Sequence, residues 1–214
     1  MSGTDSAGAA AGPLPMFPLG TVVFPGSRIP LHVFEDRFRA LVRDCLEGSG
    51  AFGVVLIERG SEVGGGDARF DVGTVTRIAE DRRLPDGRFL LVGVGTHRLR
   101  VERWLAEDPY PRALVAPVAD PAPSTEDRAA QDRAERQVRR ALTLAAELGE
   151  GPPRGAAIPP DAGWDGWQLC AMAPVGELDR QRLLEQPGLG PRMALLEALA
   201  TDAADLLADR LAGG

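Results

Sequence analysis

The first half of the chain consists of short apolar runs separated by Pro and Gly, a pattern that predicts several short strands. Pro presets φ near −65° and Gly readily adopts positive φ, so pairs of these residues mark turns. They separate predicted strands at residues 14–18, 21–24 and 29–33. Pro30 lacks a backbone donor, which predicts that the third of these is an edge strand.

From residue 35 the spacing of the apolar positions changes from two residues to three or four, which predicts an amphipathic helix. Gly48 and Gly50 follow the last apolar turn and are expected to end this helix. The predicted apolar stripe comprises Phe34, Phe38, Leu41, Val42, Cys45 and Leu46.

Further strands are predicted between residues 51 and 118. The run over residues 51–58 is too continuously apolar for a half-exposed strand and predicts a buried one. The turn signal Leu84-Pro85-Asp86-Gly87 predicts a hairpin. Many short strands with one early helix favour a small, closed or nearly closed β-barrel, because closure removes sheet edges. The other predicted strands cover residues 70–79, 88–93, 97–104 and 112–118, with a flexible glycine-rich loop at 61–67.

After residue 120 the pattern becomes helical. Ser124 and Asp127 are spaced as a capping box that opens a helix. Pro and Gly predict a loop over residues 151–161. We expect a disordered tail over 1–13, a β-barrel subdomain over 14–119 and a helical bundle subdomain over 120–214. Beyond the first helix, with its face of Ala134, Val138, Ala141, Leu142, Ala145 and Leu148, the bundle is predicted to contain a short helix near Trp167, one over Glu177–Glu185 and a long final helix from Met193.

The run LPMFPLGTVVFPGSRIPLHVFEDRFRALVRDCLEG at residues 14–48 resembles the opening of the Lon protease N-terminal, or substrate-binding, domain family. The similarity continues through most of residues 14–118. Asp36 and Phe38 stand where relatives often have Pro and Tyr, and Asp suits a first helical turn because it complements the helix dipole. The resemblance implies an α+β fold, with an N-terminal PUA-like pseudo β-barrel and one early helix followed by a C-terminal helical bundle.

The basic residues of the chain are all Arg: there are 24 of them and no lysine. Full-length Lon proteases join this domain to an ATPase and a Ser–Lys protease. A P-loop needs Lys at the phosphates and a Ser–Lys dyad needs Lys as the base, so these 214 residues can form neither site. We therefore expect a stand-alone, non-enzymatic relative of the substrate-recruiting domain.

The charge distribution argues against a nucleic-acid partner. The net charge is −7, and residues 120–214 carry 10 Arg against 16 acidic residues. Nucleic-acid binders normally have a basic face. A PUA-like nucleic-acid-binding module nevertheless remains the alternative function, because arginines that lie close together in the β region could form a local basic stripe. It would comprise Arg77, Arg82, Arg83, Arg98, Arg100 and Arg103.

The sequence offers no motif for catalysis, a metal or a cofactor. His32 and His97 are the only histidines, and the six serines lie in no Gly-x-Ser-x-Gly motif. Cys45 and Cys170 lie in apolar helical stripes, which predicts two buried free thiols. We expect no catalytic residue, no metal site and no cofactor. The absence of a membrane-spanning apolar run or a secretory leader leads us to expect a cytoplasmic protein without membrane contact.

The clustered aromatic residues are the candidate peptide-binding positions. A large amphipathic ring in a groove is typical of binding hot spots. The same rings could instead anchor the barrel against the helices, and the sequence leaves both interpretations open. The candidates are Trp104, Tyr110, Pro111, Trp164 and Trp167, the first three within a segment that resembles the family's WL-x-D-x-PYPRA run.

The function implied by the resemblance is the binding of unfolded or apolar polypeptide segments at the junction of barrel and bundle. Such a module could act as an adaptor or regulator in proteolysis and protein quality control, with a separately encoded protease as a further partner.

Overall fold

The computed structural model describes residues 13–59, 68–150 and 166–213 of the chain. The chain divides into two compact units, Met1–Val118 and Ala119–Gly214. Apart from residue 13, the predicted tail lies outside the described residues, and so do the predicted loops at 61–67 and 151–161.

The described residues of the first unit form six strands and one helix. The strands lie in the order β2-β5-β4-β3-β1-β6, and β6 also pairs with β5, so five of them form a closed ring and β2 extends it as an edge strand. The β1–β3 pair is parallel and the other pairs are antiparallel. The elements are β1 Leu14–Leu19, β2 Arg28–Val33, α1 Asp36–Glu47, β3 Ala51–Arg59, β4 Ala68–Arg83, β5 Phe89–Trp104 and β6 Arg112–Val118.

Strand β5 is one element of 16 residues, so the prediction of separate strands at 88–93 and 97–104 was wrong. Gly93 and Gly95, which lie at the predicted break, serve close packing. A Cβ at Gly95 would lie 2.4 Å from the carbonyl oxygen of Phe24, so only glycine lets the two segments approach. The predicted hairpin between β4 and β5 is confirmed, with Gly87 at φ +84° in its turn.

The segment at 21–24 is not a strand, which corrects a second prediction. Its apolar side chains are buried, and the carbonyl of Val23 accepts a hydrogen bond of 2.6 Å from the hydroxyl of Thr74. The Thr74 hydroxyl therefore takes the place of the backbone N–H that a neighbouring strand would donate to the Val23 carbonyl. The apolar residues at 22–24 are buried without forming a strand.

The main core of the first unit lies between α1 and the sheet. The rings of Phe17 and Phe38 stack with centroids 4.2 Å apart and planes within 8°. Two residues of the predicted helix stripe are outside this core, because Phe34 is 51% exposed and Leu46 is 41% exposed. A second cluster comprises Leu14, Met16, Val55, Leu99, Val101 and Ala113.

The second unit is helical, with α2 Thr125–Glu147, α3 Gly166–Met172, α4 Glu177–Glu185 and α5 Leu189–Gly213. The predicted capping box is confirmed: the Asp127 N–H donates to the Ser124 hydroxyl at 3.1 Å, and the Ser124 N–H donates to the Asp127 carboxylate at 2.7 Å. Leu148, predicted on the apolar face of α2, is the C-cap residue and only half-buried. The α2 and α5 helices pack along each other through fully buried small residues, including Ala134, Ala141, Ala200 and Ala204. Among the described helices, none has the length and apolar character needed to cross a membrane.

Candidate functional site

A groove of about 520 Å³ opens on the sheet of the first unit. It forms where β2 lies beside the first half of β5, which in turn lies beside the second half of β4. Three consecutive residues of each strand line it, at positions 30–32, 90–92 and 80–82. We call it the β2–β5–β4 groove.

The strand register decides which side chains face this groove. Residues that pair across neighbouring strands have their side chains on the same face of a sheet. Phe89 and Leu91 are 4% and 2% exposed because they belong to the core packed against α1. The groove therefore lies on the opposite face. Two rows of paired residues point into it, Pro30, Val92 and Glu80 in one and His32, Leu90 and Arg82 in the next.

The floor of the groove is apolar. Leu90 and Val92 are half-buried on β5, and the Pro30 ring is exposed beside them on β2. Just past the end of β2, the exposed ring of Phe34 lies edge-on to the imidazole of His32, with centroids 6.2 Å apart. This surface can accept an apolar side chain without rearranging the core behind it.

Charged side chains surround that floor. Arg28 forms an ion pair of 2.6 Å with Glu80, but the two side chains are 60% and 67% exposed, so the pair contributes only about 0 to 1 kcal/mol. Arg82 and His32 are also exposed on this face. In the described part of the chain, Arg82 forms no ion pair. This face therefore has two arginines, one of them paired with the carboxylate of Glu80, and a histidine.

Trp104, the first aromatic residue predicted to bind peptides, ends β5 and is half-buried against the second core cluster. The guanidinium of Arg69 lies 4.6 Å from its ring centroid and also forms an ion pair of 2.6 Å with Glu107. Arg37 extends this network to Glu107 at 3.6 Å. One face of the indole is therefore covered by Arg69.

Tyr110 and Pro111 are buried in the first unit. Tyr110 is 6% exposed, and its hydroxyl donates a hydrogen bond of 2.5 Å to Asp44. Burial, followed by the hydrogen bond and charge of Asp44, raises the pKa of Tyr110 to about 12. The carbonyl of Pro111 accepts from the N–H of Met16 at 2.8 Å. Both residues thus serve packing, and direct contact of either with a peptide stays a prediction.

Trp167 lies in the helical unit, at the start of α3. The Arg192 guanidinium is stacked 3.3 Å from its ring centroid and binds both oxygens of Asp120 at 2.9 Å. Trp167 also lines a second cleft, of about 570 Å³, together with Pro121 and Arg128. The last candidate, Trp164, lies outside the described residues.

His97 and the two cysteines lie outside the groove. Nδ1 of His97 lies 3.0 Å from the Thr96 hydroxyl. The two cysteines are buried and free, as predicted. Burial, with a smaller contribution from Asp44, raises the pKa of Cys45 to about 12, so its thiol stays protonated and unreactive at neutral pH. Within the described ranges, no cluster of three or more His, Cys, Asp or Glu residues could hold a metal ion.

The basic stripe that motivated the nucleic-acid alternative is interrupted in the structure. Arg98 is 2% exposed, so its charge is not available on the surface. Arg77, Arg82, Arg83, Arg100 and Arg103 are exposed.

Sequence reasoning did not find the β2–β5–β4 groove. Its floor residues, Leu90 and Val92, belong to a run that reads as an ordinary buried strand. The available signal was the prediction that β2 is an edge strand, because an edge beside a half-exposed apolar run marks a surface open to a partner.

Residues 13–212 match the model of the ATP-dependent protease La (LON) substrate-binding domain. The chain belongs to this family. The Lon N-terminal domain protein from Xanthomonas campestris is 31% identical to it, with a TM-score of 0.58 over 87% of this chain and 98% of that one. The N-terminal domain of Mycobacterium avium complex Lon protease shares the fold at a TM-score of 0.61 and 17% identity, covering 89% of this chain and 99% of that one.

Curated Lon proteases match over different lengths of this Lon substrate-binding domain. The Lon protease of Flavobacterium johnsoniae is 33% identical over 116 residues, which are 53% of this chain and 14% of that protein. Lon protease 2 of Herpetosiphon aurantiacus is 26% identical over 201 residues, 91% of this chain and 24% of that protein. The chain therefore corresponds to a small part of these relatives.

Proposed function

We propose that this Lon substrate-binding domain is a non-catalytic module that binds apolar segments of polypeptide chains in the β2–β5–β4 groove. The observation that carries the proposal is the half-exposed apolar floor of Leu90 and Val92 on a surface open to solvent. Membership of a substrate-binding family supports the class of ligand, since the matched relatives are proteases. The module would present a client to a protease, as an adaptor or regulator.

The expected affinity is modest. Burying one large aliphatic side chain on the floor contributes about 1.5 to 3 kcal/mol. Ordering the bound segment offsets part of this gain, which gives dissociation constants on the order of micromolar for a segment with several such contacts. Affinity of this size suits a domain that must bind many sequences and release them.

Trp104 and Trp167 are the described aromatic candidates whose rings reach solvent, each half-buried. We retain them as secondary contact sites. Each has an Arg guanidinium against its ring, so a client would contact an arginine as well as the indole. Their contribution is expected to be smaller than that of the groove.

Calorimetric titration of the 214-residue protein with a reduced and alkylated, permanently unfolded protein tests the proposal. Leu90→Asp places a carboxylate on the groove floor and should weaken binding about tenfold or more, because a buried apolar contact is replaced by a charge. The matched control is Leu178→Asp, which makes the same change at a leucine that is 63% exposed in the helical unit. Absence of binding by the unmodified protein, or equal loss in both variants, would contradict the proposal.

A further inference from the structure

The free edge of β2, beside the β2–β5–β4 groove, presents its main-chain groups in a defined order. The N–H of Gly95 donates to the carbonyl of Ser27 at 2.9 Å, so the main chain of Ser27 faces β5. Main-chain direction alternates along an antiparallel strand. Residues 29, 31 and 33 therefore also face β5, and residues 28, 30 and 32 face away from it.

The free edge thus has three carbonyl groups, from Arg28, Pro30 and His32, but only two N–H groups, because Pro30 has none. In the part of the chain that the structure describes, β2 pairs on one side only, with β5. A row of such groups is the surface on which an extended chain can add as a further strand.

The side chains along this edge differ between the two faces of the sheet. On the α1 side, Ile29 and Leu31 are half-buried against the core and would lie next to the apolar residues of an added strand. The groove side has basic Arg28 and His32, with Arg82 farther across the face and Glu80 the one carboxylate among the groove-facing rows. Successive side chains of an extended segment point to opposite faces. Charge complementarity therefore favours a segment that alternates apolar and acidic residues.

We propose that an extended polypeptide segment with alternating apolar and acidic residues adds to the free edge of β2 as an additional strand. This inference rests on the proposed function, because it specifies how a polypeptide client would bind beside the β2–β5–β4 groove. Main-chain hydrogen bonds would bind segments of varied sequence, while the alternation selects among them. The missing donor at Pro30 leaves one peptide carbonyl to be solvated by water.

Backbone-modified peptides test the added strand directly. The probe is a peptide of six residues, the length of β2, that alternates Leu with Glu. N-methylation of the amides that point toward β2 should weaken binding about tenfold or more, since each lost main-chain bond contributes roughly 1 kcal/mol. N-methylation of the alternate amides, which point to solvent, should leave binding within about twofold. Equal effects of the two methylation patterns would overturn the inference.

Variants of the protein test the same bonds from the other side. His32→Pro removes the N–H of residue 32 and should weaken the peptide about fivefold or more, whereas His32→Ala, which keeps that N–H, separates out the side chain. Pro30→Ala supplies the missing donor and should tighten binding by several fold. If His32→Pro and His32→Ala behave alike, no bond to this N–H exists and the inference fails.

Peptides that differ only in the sign of their charged residues test the preference for acidic segments. Replacing Glu with Arg in the peptide should weaken binding about tenfold at low salt, and the difference should shrink as salt screens the exposed charges. The reversal Arg82→Glu should reduce that preference, while Arg83→Glu, one residue on and outside the groove-facing rows, should not. A preference for the Arg peptide would overturn the acidic pattern.

Two outcomes separate this inference from the proposed function. If unfolded protein binds and Leu90→Asp weakens it, but methylation pattern and His32→Pro have no effect, the proposed function stands and the added strand is wrong. If no polypeptide binds, both fail. A dimer in sedimentation that His32→Pro dissociates would show that a second copy occupies the edge, and would overturn the assignment to a client segment.

Discussion

The β-rich unit and the helical unit are filled by different side chains. Five phenylalanines and the single tyrosine are buried in the first, at Phe17, Phe24, Phe38, Phe52, Phe89 and Tyr110. The buried apolar residues described in the second are Ala, Val, Leu, Met and Cys. All of these rings except that of Phe24 belong to the core between the sheet and α1, while alanines let two long helices approach closely.

The comparison teaches where each unit is vulnerable. In the β-rich unit, one ring occupies a large volume and its loss leaves a cavity. Among the described residues of the helical unit, the largest fully buried side chain is charged: Arg192, 2% exposed, is held by Asp120 and Trp167. The first unit should therefore be most sensitive to lost volume and the second to lost charge compensation.

The largest effect is expected for Phe52→Ala. Phe52 is 0% exposed in the core against α1, and truncation should lower the free energy of unfolding of the β-rich unit by about 3 to 5 kcal/mol. Amide hydrogen exchange should show faster exchange in the strands and unchanged exchange in α2 and α5. Phe34→Ala, at a ring 51% exposed, is the control and should change stability by less than about 0.5 kcal/mol. Equal acceleration in both units would contradict a loss of stability confined to the core around Phe52.

A somewhat smaller loss, about 2 to 4 kcal/mol, is expected for Asp120→Ala in the helical unit, because it leaves the Arg192 charge buried without its carboxylate. The estimate is below that for a fully buried pair since Asp120 is 31% exposed. Urea denaturation followed by circular dichroism at helix wavelengths measures it. Asp205→Ala removes a partner of Arg140 that is 61% exposed and should have little effect. A loss no larger than this control's would show that Asp120 does not compensate a buried charge.

Tyr110→Phe should cost about 1 to 1.5 kcal/mol, because it deletes the hydrogen bond to Asp44 and keeps the ring. The folded pKa of about 12 lies above the ordinary value of 10.0. The contribution of Tyr110 is therefore fully present below about pH 10 and is lost as pH rises through about 12. The chain contains one tyrosine, so absorbance near 295 nm reports this residue alone. Ionisation near pH 10 in the folded protein would contradict the buried hydrogen bond.

The smallest effect is expected at the start of α2. Ser124→Ala removes the acceptor of the Asp127 N–H and should cost about 1 kcal/mol. The Ser124 N–H donates to the Asp127 carboxylate and holds the pKa of Asp127 below its usual value. The stabilisation from the charged Asp127 carboxylate is therefore present above its ordinary pKa and is lost as pH falls through the lowered pKa. Thr125→Ala, one residue on, is the control. Equal losses in urea denaturation of the two variants would rule out a role of the cap.

Local signals were sufficient for much of the fold. The bounds predicted for β6 and α4 coincide with the structure, and the capping box at Ser124 is present. These features depend on spacing within a few residues. The continuity of β5 could not be predicted, because glycine breaks a strand in the absence of a close neighbour, and that neighbour, Phe24, is far away in sequence.

The candidate site was harder to predict than the fold for the same reason. Tyr110 and Pro111 stood out because they lie in one short segment with Trp104, but the partners that bury them, such as Asp44 and Met16, come from distant elements. The groove depends on the register of three strands, which no single segment encodes. Only Pro30 marked it in the sequence.

Pro30 has a consequence beyond recognition. An open edge strand invites copies of the same chain to stack sideways and aggregate, and proline is one of the residues that proteins place there to prevent it. If two copies of this edge paired, each Pro30 would lack the N–H that the other strand needs as a donor. Pro30 therefore disfavours pairing between two copies of the chain at the one free edge of the described sheet.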